Sequence, residues 1–371
     1  MTQSPLRAAV VGCGVIGRLH LRAIAAHPRF EPYALVDTDA AARAKVRDEA
    51  GVALIEAASL SDLFSGENRP DVVVVSTPSG THAGLASEAL AAGCHLIIEK
   101  PLDVNVARAL PLVRQANEAA TRGQVTSVMS QRRFDPASQV VAKAIRDGRF
   151  GRITSGLATI AWWRGQDYYD SGAWRGTIAL DGGGATMNQG IHAVDLLRWL
   201  LGRPVEIYAD TGLNAHERIE VEDTAVATVR FESGALATIL ATTAAYPGVS
   251  QRVQVHGSRG SAVIENDSLA YFHSAGDGES AGGYGQTGDD STNQAAIELP
   301  HHETTEGAAD ADKSLNGHLR QYDDIANAID SGTRPLVDVN EAFLSLALVE
   351  SMYRSANAHA PVRFDDIVAG A

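Results

Sequence analysis

The hexapeptide Gly12-Cys13-Gly14-Val15-Ile16-Gly17 follows a short apolar run, Arg7–Val11, and opens a stretch with helical spacing from Arg18 to Ala26. A strand, a glycine turn and a helix in that order are what a chain needs to hold a dinucleotide at the edge of a parallel sheet. Gly12 permits the tight turn, Gly14 lets backbone amides approach a pyrophosphate, and Gly17 allows helix and strand to pack closely. The helix N-terminus, with the amides of Val15 and Ile16, then offers donors and partial positive charge to the phosphates.

The residues that follow extend the pattern. Tyr33–Val36, Asp71–Ser76, His95–Ile98 and Gln124–Met129 read as further strands, and Val72–Val75 is apolar at every position, as a strand covered on both faces should be. Thr38–Ala50, Thr81–Ala92 and Asn105–Thr121 read as the intervening helices, the last expected to kink or shift its start at Pro111. Asp37 closes the second strand, 20 residues after Gly17, where an acid can hydrogen-bond the adenosine ribose. That favours NAD over NADP, whose 2′-phosphate would meet a like charge with only Arg43 nearby to compensate.

His95–Ile98 runs into Glu99-Lys100-Pro101 at the carboxyl end of a buried strand, the edge that faces the ligand crevice in open α/β sheets. A lysine buried there has its charged form disfavoured and can exchange protons near neutral pH, with Glu99 expected to hold it; a lysine merely exposed at a strand end is the alternative.

From about Gln131 the texture changes to α+β. The helix Pro136–Asp147 leads into a long strand, Ile153–Trp163; after a helix at Ala185–Leu201 come strands at Val205–Leu213, Thr224–Phe231, Ala235–Ala244, Gln251–His256, Ala262–Glu265 and Leu269–His273. The expectation is an α/β Rossmann domain over residues 1–125, followed over 126–371 by an α+β domain with a large, mostly antiparallel, open-faced sheet. Residues 275–295, rich in Gly, Ser and Asp, read as a mobile excursion, and helices at Gly317–Asp330 and Asn340–Ala358 are expected to pack back on the body.

Composition narrows the partners. A net charge of −14 repels a phosphate backbone and an anionic membrane surface, so neither nucleic acid nor membrane is an expected partner. No apolar run approaches the ~20 residues of a bilayer span, and the first strand begins almost at Leu6, so the cytoplasm is the expected address. The two cysteines, Cys13 and Cys94, have no CxxC or histidine neighbour at zinc spacing, and no metal site is expected.

Taken together, the GCGVIG turn, the Glu99-Lys100-Pro101 step, Thr77-Pro78-Ser79-Gly80-Thr81-His82 and GGGATMNQGIHAVDLLRWLLG at 182–202 resemble the Gfo/Idh/MocA oxidoreductases over nearly the whole chain. The resemblance implies that Lys100 and His192 match the family's catalytic lysine and histidine, and that Thr77, Pro78, His82 and Glu99 lie along the cofactor. It also makes Gln131 and the Trp174-Arg175 pair similar to groups that touch the cofactor in relatives, interface packing being the alternative for Trp174. Asn188 and His192, four apart, share one helix face. Many members carry Asp where this chain has Asn188; an amide cannot take a proton, so its implied role is to orient a substrate hydroxyl. Asp195 either orients the imidazole or serves the helix as a structural acid. Arg164 and Tyr169, in a cluster with Trp162, Trp163 and Tyr168, suit a sugar ring, although such clusters also fill interfaces.

The expected activity is hydride transfer between NAD and a secondary hydroxyl of a sugar, cyclitol or sugar derivative, in a homodimer or homotetramer that covers the open sheet face. The rivals are a glycoside-cleaving enzyme with transient NAD oxidation and a cofactor-sensing regulator. The presence of both Lys100 and His192, without a basic patch, disfavours the latter.

Overall fold

The computed structural model describes residues 4–66, 69–276, 292–300 and 310–370. Its first third alternates strands β1 (Leu6–Val11), β2 (Phe30–Val36), β3 (Ile55–Ala57), β4 (Val72–Val75), β5 (His95–Ile98) and β6 (Thr126–Val128) with helices α1 (Val15–Ala26), α2 (Ala40–Ala50), α3 (Leu60–Phe64), α4 (His82–Ala91) and α5 (Val106–Ala120). The strands form one parallel sheet in the order β3-β2-β1-β4-β5-β6. Its order reverses between β1 and β4, which opens a crevice outside their carboxyl ends. β3 and α3, of three and five residues, are too short to leave a period in the sequence and were not anticipated. Helix α5 runs through Pro111 from the Asn105 cap; the proline lies on the exposed face, where water can serve the carbonyl that loses its amide partner.

The second sheet has eight strands in the order β13-β12-β11-β7-β10-β9-β8-β14. The chain reaches it through α6 (Pro136–Arg146) and β7 (Ile153–Ala161), and a short helix α7 (Gln166–Asp170) follows. Next come α8 (Ile191–Leu201), β8 (Pro204–Gly212), β9 (Thr224–Phe231), β10 (Leu236–Thr242), β11 (Gln251–Gly257), β12 (Gly260–Glu265) and β13 (Ser268–Ser274). The pairing is antiparallel except between β7 and β10, which run parallel from Ser155–Leu236 to Ala161–Thr242. Helix α8 packs on β7 so closely that a Cβ at Gly156 would come within 2.8 Å of Leu201 and 2.9 Å of Leu197. The opposite face leaves Tyr208, Val226 and Leu236 exposed.

The Gly/Ser-rich run falls mostly outside the described residues; at its far end Asn293 and Gln294 bond the backbone of Phe272 and Ser274 and lead into α9 (Ala295–Glu298). Helix α10 (Asp310–Ser331) returns to α1 of the first sheet's layer, α11 (Val339–Ala358) packs between α5 and β8 of the second sheet, and β14 (Val362–Arg363) and α12 (Phe364–Val368) follow. Tyr322 and Ile325 of α10 share an apolar cluster with Val10, Ile24 and Leu35. Among the described residues no helix is long and apolar enough to cross a membrane.

Candidate functional site

At the glycine turn each residue type has a geometric cause. Gly12 has φ +99°, and a Cβ there would lie 2.7 Å from the Ser76 carbonyl oxygen, while one at Gly17 would lie 1.8 Å from that of Gly12. Nothing lies within 4 Å of where a Cβ of Gly14 would project, so its face opens on space above α1, whose first turn has no side-chain cap. Uncapped amides beneath an open glycine fit a pyrophosphate. Val15, 73% exposed, lies at the same mouth. Asp37 is fixed at the end of β2 by the amides of Cys13 (2.7 Å) and Asp39 (2.9 Å). Arg43, the cation that a 2′-phosphate would need, bonds the Asp37 carbonyl and lies 3.6 Å from Glu56.

Two residues expected along the cofactor are buried and brace their neighbours through hydrogen bonds. His82 is 1% exposed, and its ring nitrogens lie 2.8 Å from the carbonyls of Pro101 and Thr77, tying the loop after β4 to the cis Lys100–Pro101 step. The Glu99 carboxylate does not clamp the Lys100 ammonium. It accepts the Lys100 backbone amide (3.0 Å) and binds His20 (3.0 Å) and His318 (3.4 Å), joining β5 to α1 and α10. Burial pushes the Glu99 carboxyl up, but the two histidines outweigh it and hold it well below the usual range. Pro78 carries Thr81, whose hydroxyl bonds its carbonyl and, at 2.7 Å, the Thr77 hydroxyl.

Lys100 instead reaches across to the second sheet's layer. Its Nζ donates to the Asn188 carbonyl at 3.1 Å. That carbonyl belongs to a single π-helical turn, Ala185–Gly190, which precedes α8 where one continuous helix was expected. Such turns recur at functional sites because they redirect the backbone. Burial lowers the Lys100 pKa, as do Arg132 and Arg164 nearby, against Glu99 and Asp181. His192, in the first turn of α8, has its pKa pushed well below the usual value by burial, then by Lys100 and Arg132. The fold thus brings together Lys100, Asn188 and His192, from regions nearly ninety residues apart in the chain.

Asp195 belongs elsewhere. Its carboxylate binds buried Arg133 at 2.7 and 2.6 Å, with Ser130 (3.0 Å) and Ser345 (2.6 Å). A guanidinium with no exposure requires a counter-charge, and this structural need engages both Asp195 oxygens with Arg133. Tyr169 is also internal: it is 5% exposed, with its hydroxyl on Thr243 at 2.9 Å. Successive side chains on a helix point about 100° apart, so its neighbour Tyr168 turns the other way. There the Tyr168 ring lies under Arg175 (4.2 Å) and Arg164 (5.1 Å), and its hydroxyl accepts from Gln189. Trp174 lies against the same Arg175, 4.5 Å from ring centre to guanidinium carbon, and Gln131 packs beneath Gly317 of α10.

Three site residues were missed from sequence: Asp181, Arg132 and Gln189. Asp181 is 1% exposed and accepts from the Gly176 amide (2.8 Å) and the Asn188 side chain. Its position immediately before Gly182-Gly183-Gly184 was the available signal.

Comparison with known proteins bears on the family and the fold. Residues 6–127 match the model of an oxidoreductase family with an NAD-binding Rossmann fold, and residues 138–263 match the GFO/IDH/MocA C-terminal domain. Inositol 2-dehydrogenase from Rhizobium meliloti is 29% identical over 70% of this chain and 76% of its own length. The WlbA dehydrogenase from Bordetella pertussis, solved in complex with NADH and UDP-GlcNAcA, superposes with a TM-score of 0.83 at 32% identity, covering 98% of this chain and 99% of that one. Levoglucosan dehydrogenase, solved with NADH and levoglucosan, shares the fold with a TM-score of 0.81 at 22% identity, over 97% of this chain and 100% of the other.

Proposed function

Because the chain belongs to the Gfo/Idh/MocA family of NAD-binding oxidoreductases, we propose that it moves a hydride between the nicotinamide and a secondary hydroxyl of a sugar, cyclitol or sugar derivative. The observation that carries this reading is the meeting of Lys100, Asn188 and His192 at the carboxyl end of β5, beside the crevice formed by the glycine turn. Inositol 2-dehydrogenases among the relatives, and a structural neighbour holding a nucleotide sugar, support the substrate class.

When bound, NAD supplies the hydride acceptor. Lys100, whose neutral form burial favours, takes the hydroxyl proton at Nζ during oxidation and returns it in reduction. His192, kept neutral and with no hydrogen bond to another described residue, binds the same oxygen. Asn188 orients the hydroxyl through its amide, and Arg164 lines the substrate side. Asp37 takes the adenosine ribose. The exposed face of the second sheet is assigned to a homodimer or homotetramer contact.

The test is NADH formation at 340 nm with NAD and with NADP against inositols, aldoses, uronic acids and glycosides, beside a Lys100→Ala control. A signal with NAD that the variant lacks supports the assignment. Equal turnover by Lys100→Ala would remove Lys100 from proton transfer, and cleavage of glycosides without net NADH would favour the glycoside-cleaving alternative.

A further inference from the structure

Arg164 is held more elaborately than a sugar-stacking side chain requires. Its backbone amide donates to the Thr243 carbonyl (2.9 Å), and its carbonyl lies 2.7 Å from Nε2 of His216. That imidazole is seated in turn on Asp223 (3.0 Å), a carboxylate that also gathers the amides of Asn214, Ala215 and His216. The guanidinium carbon lies 5.5 Å from the Trp162 ring centre and 5.1 Å from that of Tyr168, so aromatic rings cover part of it. Nη2 donates to Gln189 at 2.9 Å, and the Gln189 amide is fixed by the Tyr168 hydroxyl.

What the guanidinium lacks is an anion. Among the described residues no carboxylate pairs with Arg164, its Nε is buried without an acceptor, and Nη1 has none either. Arg132 also lies beside Trp162, 5.8 Å from the ring centre, but its guanidinium has a counter-charge in Asp267 at 3.1 Å. The acids nearest Lys100 are already committed: Glu99 to two histidines, and Asp181 to the Gly176 amide and Asn188. A partly buried guanidinium that its neighbours hold in place without a counter-charge is a preformed receptor for an anion that a ligand brings.

We propose, on the dehydrogenase reading above, that the sugar or cyclitol oxidised here carries a carboxylate, which Arg164 binds through its free donors. A planar carboxylate matches the guanidinium fork, whereas a hydroxyl leaves the charge uncompensated. The subsite lies on the second sheet's side of Lys100 and Asn188, away from the glycine turn that takes the cofactor phosphates.

The experiment compares kcat/KM for D-glucuronate and D-galacturonate with D-glucose, myo-inositol and glucose 6-phosphate, in the wild type, Arg164→Gln and Arg164→Lys. The wild type is expected to favour the uronates, and Arg164→Gln to cut that preference about 10- to 100-fold, as loss of hydrogen bonds to a charged group implies. Arg164→Lys should restore part of it, while NADH affinity, read by nicotinamide fluorescence, holds. Turnover of neutral sugars or of glucose 6-phosphate in preference to the uronates would overturn the carboxylate and leave the dehydrogenase standing. If nothing turns over in NADH-binding protein, the dehydrogenase reading fails, and thermal melting of the NADH-loaded chain decides the subsite. Stabilisation by glucuronate beyond glucose, lost in Arg164→Gln, supports it, and equal melting overturns it.

Discussion

Asn188 gives its side-chain N–H to the carboxylate of Asp181, a buried acid seven residues earlier in the chain. The bond fixes which way the amide faces, because a carboxylate only accepts; the Asn188 oxygen is left as an acceptor for another donor. The carboxylate of this cluster therefore stands one layer behind position 188, at Asp181.

The pair predicts a rescue. N188D alone sets two carboxylates side by side, which raises one of them and disorders the site, so kcat/KM should fall about 10-fold or more. In D181N/N188D the amide and acid exchange places, the hydrogen bond re-forms, and most of the loss should return. Steady-state kinetics on the three proteins tests it; a double variant no better than N188D would show that Asp181 serves packing alone.

Lys100 predicts a pH profile. Its ammonium must lose a proton before it can accept one, and burial together with Arg132 and Arg164 lowers its pKa. The oxidative rate should therefore rise with pH over a range below that of a free lysine. R132Q removes a neighbouring positive charge, which favours the ammonium and moves the rising limb to higher pH. Lys100→Ala should lose about 10²- to 10⁴-fold in kcat, the usual share of a positioned acid–base group. An unmoved limb in R132Q would assign that limb to another group.

The first sheet was legible because each of its strands is a local apolar run and the glycine turn is a local device, and the long strands of the second sheet were readable from their alternation. What sequence could not convey was pairing. Asp195 and Tyr169 look like site residues by type and neighbourhood, yet Arg133, 62 residues away, and Thr243, 74 away, claim them. Asp181, conversely, has no motif of its own and enters the site through the π turn, whose widened backbone brings Asn188 onto it. Glu99 shows the same effect: its histidine partners come from α1 and α10, at opposite ends of the chain.

Asp37 predicts a cofactor preference. Its carboxylate is held by two amides, and Arg43 is already engaged with the Asp37 carbonyl and Glu56. Asp37→Ser should lower kcat/KM for NAD about 10- to 100-fold, as loss of charged hydrogen bonds implies, and raise that for NADP. The ratio of the two measures this directly; an unchanged ratio would place the ribose elsewhere.

Asp195 should behave as a stability residue. Removing it leaves Arg133 and Arg198 buried beside Glu341 alone, and breaking a buried pair costs about 3–5 kcal/mol. Asp195→Ala should melt well below the wild type in a urea titration, while kcat per folded molecule stays far closer to wild type than that of His192→Ala. A loss of kcat matching His192→Ala, at wild-type stability, would return Asp195 to the imidazole.

The exposed sheet face makes the last prediction. Tyr208, Val226 and Leu236 are 47–51% exposed on neighbouring strands, with Val226 opposite Leu240 in the β9–β10 register. Tyr208, diagonal to Val226, and Leu240, opposite it, complete an apolar strip across three strands, which a closed two-fold contact covers on both copies. Light scattering should give a dimer or tetramer for the wild type, and Val226→Asp, a charge at the middle of the strip, should shift it toward monomer. A monomeric wild type would leave the strip without that partner.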